Sequence, residues 1–294
     1  AEAWACPMVL KVKEPTPAEY GFLRDIPAVI GLAIIVIVVF VAIFAPWLTP
    51  KPEAVFDSNI MARLRPPTTE FWFGTDNLGR DICSRVILGT RGALIVALSV
   101  VAFAMAIGVP IGLYAGYTSS LLGEALMRLV DVFLSVPQLI LALAIAQLIG
   151  RGLESAMLAL ALTYWPFFAR TVYTEARRAR HALFVEALQG IGASQTRILV
   201  VHVLPNVASP VIVRATIGMG FTILTTAVLG FLGIGAAPPD PDWGLAIAES
   251  RNYLPEAWWF ATFPGLAILV TVLGFNLFGD GLRDLVDPRL RRSR

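Results

Sequence analysis

Residues 186–206 read "EALQGIGASQTRILVVHVLPN". An acid opens the stretch, Gly190 and Gly192 interrupt it, Ser194 restarts it and Pro205 closes it. Residues 174–188 favour a helix, with Glu175 in its first turn. The two glycines end it, because glycine takes the left-handed conformation of a helix C-cap without strain. Ser194 can N-cap a second short helix over "QTRILVVHV", with Arg197 where a capping box would place an acid or amide. Pro205 is expected to stop that helix, and Asn206 and Pro210 to lead into the next apolar segment. The stretch therefore predicts two short helices meeting at a glycine hinge.

The apolar segments around it define the class of the chain. Of 294 residues, 57% are hydrophobic and 15% charged, with a mean hydropathy of +0.73. Soluble domains carry charge on about a quarter of their residues, so the composition is that of a membrane protein. Charge-free windows fall at 26–50, 92–123, 132–150, 155–169, 215–239 and 257–279. A helical span needs ~20 mainly apolar residues. Five windows reach or approach that length, and the short fourth can be extended through Thr171 and Tyr173 if Arg170 snorkels to the interface. The expectation is an all-α integral membrane protein with six transmembrane helices and both termini on one side.

Basic residues set the orientation. With the N-terminus inside, fifteen of the 23 Lys and Arg residues fall on the cytoplasmic side, among them Arg177, Arg178, Arg180, Arg197, Arg214 and five C-terminal arginines. The first outer loop is the exception, with six basic residues nearly balanced by Glu53, Asp57, Glu70, Asp76 and Asp81. Both termini are therefore expected in the cytoplasm, and the opening stretch projects there between the fourth and fifth spans. The first apolar run is too long for a cleaved signal, follows a polar segment of about two dozen residues and reads as an uncleaved anchor. Cys6 and Cys83 then face opposite sides, and no intrachain disulfide is expected.

Several chemistries are excluded by residue type. None of Lys11, Lys13 and Lys51 follows a glycine, so no P-loop is present. Two histidines, His181 and His202, lie far in sequence from either cysteine and make no metal cluster. No G-x-S-x-G nucleophile context occurs. The chain is expected to be non-catalytic, with no metal and no cofactor of its own. Pro110, Pro137, Pro166 and Pro264 fall in four of the six windows. They are read either as breakers in a bundle that opens around a passage, or as prolines that neighbouring helices repair. Asp131, Gln138, Gln147, Asn276 and Asp280 should face protein or water, and interfacial solvation accounts for Asp131 and Asp280.

The order Glu186-Ala187-Leu188, Gly192, Leu204-Pro205 resembles the EAA loop of ABC importer permeases, E-A-A-x3-G-x9-I-x-L-P. Leu188 stands in place of the second alanine, and His202 in place of isoleucine. The segments "FGTDNLGRDICSRVILGTR" (73–91), "LGFLGIGAAPPDPDWGLAIAESRNYL" (229–254) and "FPGLAILVTVLGFNLFGDGLRDLVDPRL" (263–290) are similar to the dipeptide and oligopeptide permease C subunits. Taken alone, "GTDNLGRD" reads as an Asx-type turn and "PPDPDWG" as a rigid outer loop.

The resemblance implies a type I ABC importer permease fold with cytoplasmic coupling helices in a bacterial cytoplasmic membrane. It divides the chain into an N-terminal tail (1–25), a first span with external loop (26–91), a permease domain (92–281) with coupling loop 174–206, and a basic tail (282–294). Glu186, Ala187, Leu188, Gly192, Ala193, Ser194, His202, Leu204 and Pro205 are implied to seat on an ATPase. The implied partners are a second homologous permease, two ATP-binding subunits that hold ATP and Mg, an extracytoplasmic solute-binding protein and membrane lipid, with no nucleic acid. The implied cargo is di- or oligopeptide, with nickel complexes, glutathione or opine-like solutes as alternatives. An ion-coupled secondary transporter is the reading from another class, and the lack of mid-membrane acids speaks against it.

Overall fold

The structure, a computed structural model, describes residues 17–118, 120–150 and 152–286. Among them the ordered elements are helical: α1 Pro17–Leu48, α2 Ile82–Tyr117, α3 Leu121–Ser135, α4 Gln138–Ile149, α5 Leu153–Arg180, α6 Leu183–Gly190, α7 Gln195–Arg197, α8 Leu204–Phe231, α9 Trp243–Ser250 and α10 Trp258–Val286, with a π-helical segment Ile198–Val203 joining α7 to α8. Among the described residues, extended pairing is confined to an isolated bridge between Thr75 and Asp81.

The tightest helix pair is α2 with α5. Gly108, Gly112 and Gly116 recur at four-residue spacing on one face of α2, and a Cβ on Gly112 would lie 2.4 Å from the Ala169 carbonyl oxygen. Small residues at this spacing let two backbones touch, the usual solution where lipid offers no hydrophobic drive between helices. Gly108 meets Trp165 and Phe168, and Gly116 meets Tyr173 and Ala176, so the two helices run parallel. Around this pair, α10 packs antiparallel on α1, with Gly31 against Leu277 and Gly281 against Ala28, and α8 lies between α5 and α10.

The expected six spans are not reached by length and composition. Four helical stretches suffice, 26–48, 82–117, 195–231 and 258–285, and the α3–α4 pair, bent by 92°, gives a fifth if taken as one span. The expected fourth span lies within α5, whose polar residues have a physical reason. Ala156, Leu160, Tyr164, Phe168, Val172 and Ala176 are buried against other helices, and a helix facing protein on most sides does not need a uniformly apolar surface.

The structure decides between the two readings of the prolines and changes the reading of one ion pair. Pro110, Pro166 and Pro264 sit inside uninterrupted helices, and of the four only Pro137 marks a sharp bend, between α3 and α4. Arg170 does not snorkel alone, and Asp131 is not merely solvated, because the two form an ion pair. Cys83 is a buried free thiol, and Cys6 lies outside the described residues.

Candidate functional site

At one end of the bundle the chain leaves α5 at Arg180, turns at His181 and Ala182, and enters α6. The helix expected over 174–188 is thus two helices. The break falls where the His181 and Ala182 amides bond back to the Arg178 and Ala179 carbonyls, the tight bonds that close a helix end. After α6 comes the hinge, with Gly192 at φ +80°. A Cβ on Gly192 would meet nothing within 4 Å, so the position demands glycine through backbone conformation and not through close approach. The Ala193 amide bonds back to the Leu188 carbonyl at 3.0 Å and closes the turn. The Ser194 hydroxyl accepts from the Arg197 amide at 3.4 Å, the expected N-cap.

Pro205 does not end the second helix. The ladder shifts to π bonding over Ile198–Val203, with the Leu204 amide bonded to the Leu199 carbonyl, and resumes as α8. A widened turn makes room for the proline ring, which would otherwise strike the carbonyl four residues earlier. The Asn206 side-chain amide donates to the His202 carbonyl at 2.7 Å, beside the proline that lacks a donor. Pro210 lies within α8 as well, so a continuous helical stretch runs over 195–231.

The sequence-derived site residues divide between two faces. Leu188, Ala193 and Leu204 are half-buried and pack on the main core with fully buried Val185, Ile198 and Val203, and His202 is also half-buried. Glu186, Ala187, Gly192, Ser194 and Pro205 are exposed. Beside them stand Leu183 and Ile191, 83% and 80% exposed, which the motif does not name. No local pattern in the sequence marks them, because their exposure depends on how the helix is mounted on the bundle. Gln189 donates to the Tyr117 hydroxyl at 3.4 Å and ties α6 to the end of α2. Arg177 and Arg178 are engaged within α5, with Tyr173 and Glu175, and among the described residues Glu186 makes no ion pair. The result is an anchored knob whose outer face combines exposed apolar side chains with an uncompensated carboxylate.

The opposite end holds a buried ionic clasp built from "GTDNLGRD". Asp76 Oδ1 accepts from the Leu78 and Arg80 amides at 2.8 and 2.9 Å, and its Oδ2 accepts from Arg80 Nε at 2.6 Å. Arg80, 1% exposed, reaches Glu249 of α9 at 3.0 Å. Arg85 donates to the Val55, Pro239 and Asp240 carbonyls, and Trp243 Nε1 donates to the Val86 carbonyl at 3.0 Å. The Asx turn expected there is present, but its larger role is to bind the loop after α1 to the start of α2 and to α9. Burial pushes the Glu249 carboxyl above the usual carboxylate range against the pull of Arg80 and Arg85, and burial pushes Asp242 the same way.

Among the described residues the architecture is thus a helical membrane bundle with a helix pair at one end and a clasped loop cap at the other. A chain of the inward-facing MetNI methionine ABC transporter shares the fold, with a TM-score of 0.57 and 22% identity over 69% of this chain and 96% of that one. Residues 108–292 match the family of binding-protein-dependent transport system inner membrane components, and residues 20–67 match the N-terminal transmembrane domain of oligopeptide transport permease C. The chain belongs to the binding-protein-dependent transport system inner membrane component family.

Among its relatives, the probable D,D-dipeptide transport system permease protein DdpC of Escherichia coli K12 is 42% identical across 89% of this chain and 87% of that protein. The dipeptide transport system permease protein DppC of Alkalihalophilus pseudofirmus is 41% identical across 90% and 86%. The di/tripeptide transport system permease protein DppC of Pseudomonas aeruginosa is 40% identical across 93% and 91%.

Proposed function

We propose that this chain is one of two permease subunits of an ATP-driven peptide importer. It forms half of a passage for di- or oligopeptides delivered by an extracytoplasmic solute-binding protein. ATP and Mg are held by two partner ATPase subunits, and the second half of the passage comes from a homologous permease. The knob at α6–α7 is the seat for one ATPase, which puts both termini and Glu186 in the cytoplasm and the ionic clasp outside. The observation that carries this reading is the exposed, uncompensated Glu186–Ile191 face on a knob whose other face is locked into the core. An exposed apolar patch rimmed by charge marks an interaction site. Support for peptide as cargo comes from the similarity to dipeptide permeases over most of both chains.

Nucleotide drives such a device only by binding one of two arrangements more tightly. Closing an ATPase pair moves the knobs seated on it, and the bundle alternates its openings. The experiment is reconstitution of the chain with its sister permease, ATPase subunits and binding protein in vesicles. ATP-dependent uptake of labelled dipeptide is expected, and its absence with every subunit assembled overturns the peptide reading.

A further inference from the structure

Arg214 lies inside α8, about 15 Å along the helix from Leu204 at 1.5 Å per residue. The sequence places it at the edge of a charge-free window, but the uninterrupted helix carries it one turn from Gly218, where Tyr164 of α5 packs. Its guanidinium carbon sits 5.0 Å from the centre of the Phe167 ring on α5. Its Nε is buried with no acceptor, and among the described residues it has no ion-pair partner. The other arginine of this region, Arg170, is neutralised by Asp131, and Asp280 of α10 is exposed without touching Arg214. Arg214 is therefore a half-buried fixed positive charge beside an aromatic ring, with a donor that no group among the described residues satisfies.

A charge inside a membrane helix is costly and faces protein or a water-filled path. The ring face returns part of that cost, and a planar guanidinium is built to take a carboxylate through two parallel bonds. Every peptide with a free C-terminus carries that group. We infer that Arg214 is the passage residue that grips the C-terminal carboxylate of the cargo, a specificity contact that rests on the peptide-import reading.

The test uses the full complex. At saturating loaded binding protein, Arg214→Gln is expected to lower dipeptide uptake roughly tenfold or more, with subunit assembly and cargo-independent ATP hydrolysis unchanged. Arg214→Lys, which keeps the charge and loses the fork, is expected to fall between it and the wild type. A second measurement omits the binding protein and follows phenylglyoxal modification of Arg214 by mass spectrometry, which alanyl-alanine is expected to slow and its C-terminal amide is not. Wild-type uptake by Arg214→Gln, or equal protection by acid and amide, overturns the inference. So does loss of assembly, which would assign Arg214 to a contact with the sister permease. A wild-type complex that imports no peptide overturns the functional reading instead, and the labelling experiment then decides the inference on its own.

Discussion

Glu186 carries the most at the scale of single residues. A solvated charge on a helix face is nearly neutral to substitution, whereas reversing one partner of a desolvated contact costs roughly 2–5 kcal/mol. Glu186→Lys is expected to leave thermal stability and pairing with the sister permease unchanged and to strip the ATPase subunits on co-purification. Retention of ATPase at wild-type stoichiometry with normal uptake would remove Glu186 from the interface. The glycine at 192 and the serine cap at 194 were legible because each answers a local backbone demand, a positive φ and an unsatisfied amide. Leu183, Ile191 and the Gln189–Tyr117 contact were not, since exposure and long-range pairing depend on how the knob is mounted and leave no local pattern.

Among the elements, the α2–α5 pair shows what a composition-led reading passes over. Gly108, Gly112 and Gly116 stand in plain view in α2, but their meaning depends on a facing backbone that a single helix does not reveal. Gly112→Ala is expected to lower the stability of the purified complex by about 1–3 kcal/mol through overpacking, read as a fall in Tm. Gly92→Ala on the same helix, where an added Cβ meets nothing within 4 Å, gains helix propensity without a clash and is expected to be neutral or slightly stabilising. Equal Tm for the two variants would refute the tight pairing. The reading of Pro205 as a helix end failed for a related reason. Proline forbids a regular ladder, and the π segment before it supplies an irregular one.

For the whole molecule, parallel α2 and α5 require residues 118–152 to return from one end of the pair to the other, and the bent α3–α4 pair is the element available. Impermeant labelling of single cysteines, in a background free of Cys6 and Cys83, is expected to reach positions near Gly150 and 240–256 from outside. Arg177, Arg178 and Arg180 positions are expected to react only after permeabilisation. Labelling at Gly150 from the cytoplasmic side would show that α3–α4 re-enters instead of crossing. The positions of the four longest apolar stretches were readable from hydropathy, because burial in lipid imposes them one segment at a time.

The clasp at the far end was not legible, since Asp76, Arg80 and Glu249 meet only in the folded state. Its Glu249 carboxyl, raised by burial, binds a proton more readily folded than unfolded. That contribution to stability is complete below the ordinary carboxylate range and is lost as pH rises through the raised value. Protection factors of the α9 amides, which remove the intrinsic pH dependence of exchange, are therefore expected to rise as pH falls from neutral toward the ordinary carboxylate range, and Glu249→Gln to flatten that profile. A wild-type profile that runs the other way would put the Arg80 pairing ahead of burial.

The stretch over 195–231 is one helix with its foot in the knob and its head beside the clasp. Mechanically it is a lever. From Leu204 to Phe231 it extends about 42 Å, so a tilt of about 10° at the Pro205 end sweeps the far tip through about 7 Å at that length. The amplification needs no bending along the rod. It needs only a compliant fulcrum, and the π segment beside Pro205, with its irregular ladder, supplies a break in regular bonding at the foot of the shaft.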